Sequence, residues 1–123
     1  MKGALISNEA PTSLSEDGEK IYKHLLGAFP RGFLTETDSY TLEIVANAID
    51  IMRVAQQDVR NRGIYLEDGS PNPSHLIYER YTKIFNQMGS KLGLSPRDRS
   101  QLAMLLINQQ AEESDELLKI LKD

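Results

Sequence analysis

The residues of this chain most able to do chemistry are its arginines and lysines between positions 53 and 99. Eight basic residues there, among them Arg53, Arg60, Arg62, Arg80, Lys83, Arg97 and Arg99, face five acidic ones, for a local net charge of +3. The flanking stretches 1–52 and 100–123 carry -4 and -3, and the whole chain -4. Guanidinium and ammonium groups gathered in this way bind phosphate, so a basic middle between acidic ends can offer a polyanion a surface despite a pI near 5.2. The plainer alternative is a solvated helix face. Arg53, Arg60 and Arg62 are spaced to share parts of one helical surface, and Arg80 and Lys83 fall within one turn of each other. Arg97 and Arg99 occupy the first turn of a helix that opens at Ser95-Pro96. Each should cost about 0.3–1 kcal/mol against the macrodipole unless it faces a phosphate or a neighbouring carboxylate.

Other chemistry is largely excluded. The chain has no cysteine, and its two histidines, His24 and His75, stand far apart without neighbouring ligands, which rules out a zinc finger, a disulfide framework and a thiol nucleophile. It has no phosphate-binding glycine loop, no dinucleotide fingerprint, no H-E-x-x-H and no G-x-S-x-G turn. The acidic pair Glu67-Asp68 precedes Gly69 and reads as a turn. No catalytic residue, metal or cofactor is expected, and a binding role is favoured over a reaction. The first residues lack the apolar stretch of a signal peptide, and no run approaches the roughly 18 apolar residues of a membrane span. The expected protein is soluble, intracellular and independent of membranes.

The elements that must position the basic residues are helices. Residues 1–13 show no periodicity and read as a flexible arm, residues 14–110 as a helical core and oligomerisation domain, and 111–123 as an acidic amphipathic tail. Ser15, with Glu16, Asp17 and Glu19 behind it, starts a first helix carrying Leu14, Ile21, Leu25 and Leu26. Thr35 with Asp38 resembles a capping box and opens the longest helix, which runs to Arg62 before Gly63. Along it Leu42, Val45, Ile49, Met52, Gln56 and Val59 recur at steps of three and four, beside a second stripe of Ile44, Ala48, Ile51 and Ala55. So broad an apolar face means either a buried central helix or a subunit interface. A connection with a short extended segment at about 64–71 follows. Asn72-Pro73 then opens a third helix to Leu92, striped by Ile77, Tyr81, Ile84 and Met88. The last helix carries Leu102, Leu105, Leu106 and Ile107, with Met104 as filler. After "NQQAEESDE" come Leu117, Leu118, Ile120 and Leu121, which either prolong that helix or form a peptide for a partner's groove. The fold class is all-α, four main helices around a long central one.

Residues 69–102, "GSPNPSHLIYERYTKIFNQMGSKLGLSPRDRSQL", carry a resemblance. An N-P opening a helix, an aliphatic and aromatic middle, then L-G-L-[ST]-P-x-x-R and a leucine resembles the C-terminal signature of the P27 family of phage terminase small subunits. Asn72, Pro73, Leu92, Gly93, Leu94, Ser95, Pro96 and Arg99 match the pattern, and the layout extends over about residues 35–106. The resemblance implies a bacteriophage DNA-packaging protein of the host cell cytoplasm. Such a protein assembles as a ring-shaped homo-oligomer, binds viral double-stranded DNA, initiates packaging and regulates a large terminase subunit that holds the ATPase and nuclease; it is not itself an enzyme. It assigns no DNA contacts, so charge and geometry nominate Arg53, Arg60, Arg62, Arg80, Lys83 and Arg97. The apolar stripe nominates Leu42, Val45, Ile49, Met52 and Val59 for the oligomer interface, with Arg99 for a neighbour's carboxylate. Leu117, Leu118, Ile120 and Leu121 are the candidates for docking the large subunit.

The runner-up is a dimeric helix-turn-helix regulator built from the first two helices and the "FPRGF" turn. Glu36, Asp38 and Glu43 would then lie near DNA phosphates, which is electrostatically poor. A pure assembly adaptor without nucleic-acid contact is a third possibility, suggested by the negative total charge.

Overall fold

A computed structural model describes residues 4–122, with side chains throughout 4–95 and at part of the positions beyond. It contains four helices: α1 Glu16–Gly27, α2 Asp38–Arg62, α3 Pro73–Lys91 and α4 Pro96–Lys122. Among the described residues, extended pairing is limited to two isolated bridges, Leu5 with Thr35 and Tyr65 with Pro71. The chain divides into two compact units, Met1–Leu92 and Gly93–Asp123.

In the first unit α2 packs against both α1 and α3, so it is the central helix. Its start lies three residues later than the Thr35 opening expected from sequence. The Asp38 carboxylate accepts from the Thr35 N–H at 2.8 Å and from Thr35 Oγ1 at 3.1 Å, which is one half of a capping box. The other half is replaced by backbone turns, Asp38 N–H to the Thr35 carbonyl at 3.0 Å and Ser39 N–H to that of Glu36 at 3.2 Å. α1 begins as its sequence dictates: Ser15 accepts from the Gly18 N–H at 3.0 Å, and Glu16, Asp17 and Glu19 fill the positive first turn. Hydroxyls tie this end to α2. Ser15 Oγ donates to Asp50 Oδ2 at 2.5 Å, and Ser13 Oγ donates to the Glu43 carboxylate.

Leu42, Val45, Ala46 and Ala48 of α2 are fully buried, and Leu14, Leu34, Ala55 and Leu92 nearly so. Leu42 and Val45 therefore hold the subunit together. Having no surface left for another copy, they are corrected from interface candidates to core residues, because α1 and α3 embrace α2 from both flanks. Ile49, Met52 and Val59 are half-buried. The deepest side chain of α1 is Tyr22, 1 % exposed and outside the expected stripe; burial, with the nearby Glu43 charge, pushes its phenol up. Part of the segment read as a free arm lies along the turn before α2. The Ile6 N–H donates to the Leu34 carbonyl at 3.3 Å and the Glu36 N–H to that of Ala4 at 2.7 Å.

In the second unit the Arg99 N–H donates to the Ser95 carbonyl at 2.9 Å, which starts α4 where the sequence places it. The helix then runs without a break through the acidic stretch to Lys122, so residues 111–122 of the expected tail form its last turns, and residue 123 lies outside the described residues. Met104 and Ile107 are 64 % and 62 % exposed, whereas the side chains of Leu102, Leu105 and Leu106 lie outside the described residues.

Candidate nucleic-acid interface

The basic residues of α2 divide into two groups with different employment. Arg53 and Arg60, two turns apart, border an open groove of about 370 Å³ between α2 and α3. Ile49 and Met52 make its apolar floor, Gln56 and Gln57 add amides, and Tyr78 of α3 closes the opposite wall. Both arginines are exposed. The site thus offers two separated positive charges, amide donors and a phenolic ring, a set suited to phosphates and the sugar edge of a nucleic acid.

Arg62 differs from them in having a carboxylate partner within the chain, while its side chain stays 53 % exposed. Its Nε and Nη2 donate to the two oxygens of Asp58, both at 2.7 Å, because the carboxylate one turn earlier presents a matching fork. That carboxylate also accepts from Ser74 Oγ at 2.6 Å, so the end of α2 is tied to the start of α3. Arg62 and Ser74 hold Asp58 well below the usual carboxylate range. Asn72, fully buried, completes the junction. Its Oδ1 accepts from the Ser74 N–H at 3.0 Å as helix cap and from Arg62 at 3.4 Å, and its Nδ2 donates to the Gly63 carbonyl at 3.0 Å. Sequence reading found Asn72 through its cap role and Gly63 through its helix stop; it missed Asp58 and Ser74, which are only sixteen residues apart but face each other across the connection.

That connection behaves as expected of a turn. Asp68 accepts from Ser70 N–H at 3.0 Å and from Ser70 Oγ at 2.5 Å, and those bonds lower its pKa. Among the described residues no group of three histidines, cysteines or carboxylates could hold a metal ion.

Arg80 and Lys83 are exposed on α3 but do not line the groove: two and five residues beyond Tyr78, they turn to the outer side of the helix. Arg97 and Arg99 are exposed in the first turn of α4, in the other unit. Leu117, Leu118, Ile120 and Leu121 are 54–79 % exposed at its far end. Apolar surface also remains on α2, where Tyr40, Ile44 and Val54 are exposed and Ile51 is half-buried at steps of four, seven and three. That stripe faces away from Leu42 and Val45.

These features define an all-α protein in which α2 and α3 pack as a hairpin, with two arginines on the border of the groove between them. The comparisons name the family. The model described as phage terminase, small subunit, matches residues 18–108, and the chain belongs to that family. Membership supports a role in phage packaging and implies DNA and a large terminase subunit as partners. No curated protein and no solved structure gives a significant match. No helix among the described residues is long and apolar enough to cross a membrane.

Proposed function

We propose that the chain is a non-catalytic terminase small subunit of the P27 type, acting in the host cell cytoplasm. It closes into a ring, binds viral double-stranded DNA at the start of packaging and regulates the large subunit. The observation that carries the DNA part is the open groove with Arg53 and Arg60 on its border. Two phosphate contacts per subunit bind weakly, and a ring repeats them so that overall affinity rises through effective concentration. Arg80, Lys83 and Arg97 extend the positive surface from outside the groove. The assembly surface is the stripe of exposed Tyr40, Ile44 and Val54 with half-buried Ile51, in place of the buried Leu42 and Val45; α3 adds exposed Leu76 and Ile77. Arg99 pairs with a neighbour's carboxylate, and the apolar end of α4 is offered to the large subunit.

The helix-turn-helix reading is less well supported. Glu36, Asp38 and Glu43 would lie near DNA phosphates, and Glu43 already accepts from Ser13. Native mass spectrometry of the purified chain, alone and with a duplex, tests the proposal. A closed ring that retains the duplex is expected; a dimer on DNA would favour the regulator, and a monomer without DNA would overturn both.

A further inference from the structure

A second cavity of the first unit lies away from the basic groove and plays no part in the proposed DNA contact. It is a cleft of about 760 Å³ between the segment after Ala4, the C-terminal half of α1 and the turn that follows. Leu5, Leu26, Phe29 and Leu34 supply apolar wall, while Lys23 and Arg31 stand exposed on its border. Volume and lining fall in the range of ligand-sized sites. A DNA backbone has no use for four apolar residues, and a purely apolar ligand has none for two cations. The chemistry asked of an occupant is an apolar anchor flanked by carboxylates.

The end of α4 has that chemistry. Leu117, Leu118, Ile120 and Leu121 share one side of the helix and are all more than half exposed. Asp115 and Glu116 flank that side, with Glu112 a turn behind, and all three are exposed. We infer that the cleft of one copy receives the acidic apolar helix end of a second copy, its leucines against Leu26 and Phe29 and its carboxylates toward Lys23 and Arg31. The contact latches neighbouring copies in addition to the α2 stripe. The large subunit, to engage the same leucines, then displaces a helix end already seated on a neighbour.

The absence of cysteine makes this testable in the full chain. Chains carrying only Asn8→Cys, at the cleft, are mixed with chains carrying only Lys119→Cys, on the helix side opposite the leucines, and treated with a short bis-maleimide. A crosslinked pair containing one chain of each kind is expected. Lys23→Glu with Arg31→Glu in the Asn8→Cys chain should cut its yield at least several-fold, and Glu112→Lys, Asp115→Lys and Glu116→Lys in the other chain should restore it. Thermal melts of each variant separate misfolding from lost docking, since all substituted side chains are exposed. No mixed product, a yield indifferent to charge reversal, or a crosslink that forms only when both cysteines share one chain would overturn the inference. Duplex binding by the wild-type chain is measured in parallel: binding without the crosslink removes only this inference, and the crosslink without binding removes only the packaging mechanism.

Discussion

At the scale of the residue, the junction of α2 and α3 shows why certain side chains stand where they do. Gly63 adopts φ 87° and ψ 170°, a conformation open almost only to glycine, and an added Cβ would lie 3.4 Å from the Tyr65 carbonyl oxygen. The neighbouring Asn72 is buried, with its Oδ1 accepting from Ser74 and Arg62 and its Nδ2 donating to Gly63. Replacing Asn72 by alanine orphans the Gly63 carbonyl and the Ser74 N–H at the start of α3. Asn72→Ala should lower stability by about 1–3 kcal/mol in chemical denaturation, with the groove arginines untouched; an unchanged midpoint would mean that water replaces the cap at no cost. The Asp58 carboxylate gives the junction a pH dependence whose sign is fixed. Its folded pKa lies below its ordinary value of 3.8, so the stabilisation is complete above the unfolded pKa and is lost as pH falls below it toward the folded one. Asp58→Asn should therefore lower the melting temperature at neutral pH and make it fall less steeply between about pH 4 and 2. A variant with the parent's slope would remove Asp58 from the acid response. Arg62 was legible in sequence as a cation near the end of a helix, but its employment was not. A one-dimensional count of charges cannot say which guanidinium already has its carboxylate.

At the scale of the element, sequence periodicity located all four helices, because caps and apolar steps are local properties of the chain. Ser15, Asn72-Pro73, Gly63 and Gly93 mark ends that the structure keeps. Periodicity also recognised that the apolar surface of α2 is wider than one neighbour requires. It did not say which part of that surface is shared with α1 and α3 and which is left over, since that depends on the direction from which each partner helix arrives. The two parts should respond differently to substitution. Leu42→Ala opens a cavity in a fully buried site and should cost about 2–5 kcal/mol, seen as a lower unfolding midpoint at any protein concentration. Val54→Glu, at a position 67 % exposed, should leave the subunit's helicity intact while the mass measured by light scattering drops to that of smaller species. Should Val54→Glu assemble as the parent does, the interface lies elsewhere on the molecule.

At the scale of the whole molecule, the total charge of -4 hides its distribution, and distribution governs whether DNA is attracted or repelled. The groove carries Arg53 and Arg60, while two carboxylates of the first half of α2, Glu43 and Asp50, accept from Ser13 and Ser15. The proposed ring would repeat the groove once per copy. If each of the two arginines meets one phosphate, each contributes about 0.9 to the slope of log affinity against log salt concentration. Arg53→Ala with Arg60→Ala should then reduce that slope by about 2 for every subunit that engages the duplex. Arg62→Ala should leave the slope as it is while destabilising the α2–α3 junction, because its guanidinium is already held by Asp58. Fluorescence anisotropy of a labelled duplex between roughly 50 and 200 mM salt reads both quantities at once. A slope that falls with Arg62 and not with Arg53 and Arg60 would reverse the division of labour drawn from the geometry, and an affinity indifferent to salt would remove phosphate recognition from the mechanism altogether.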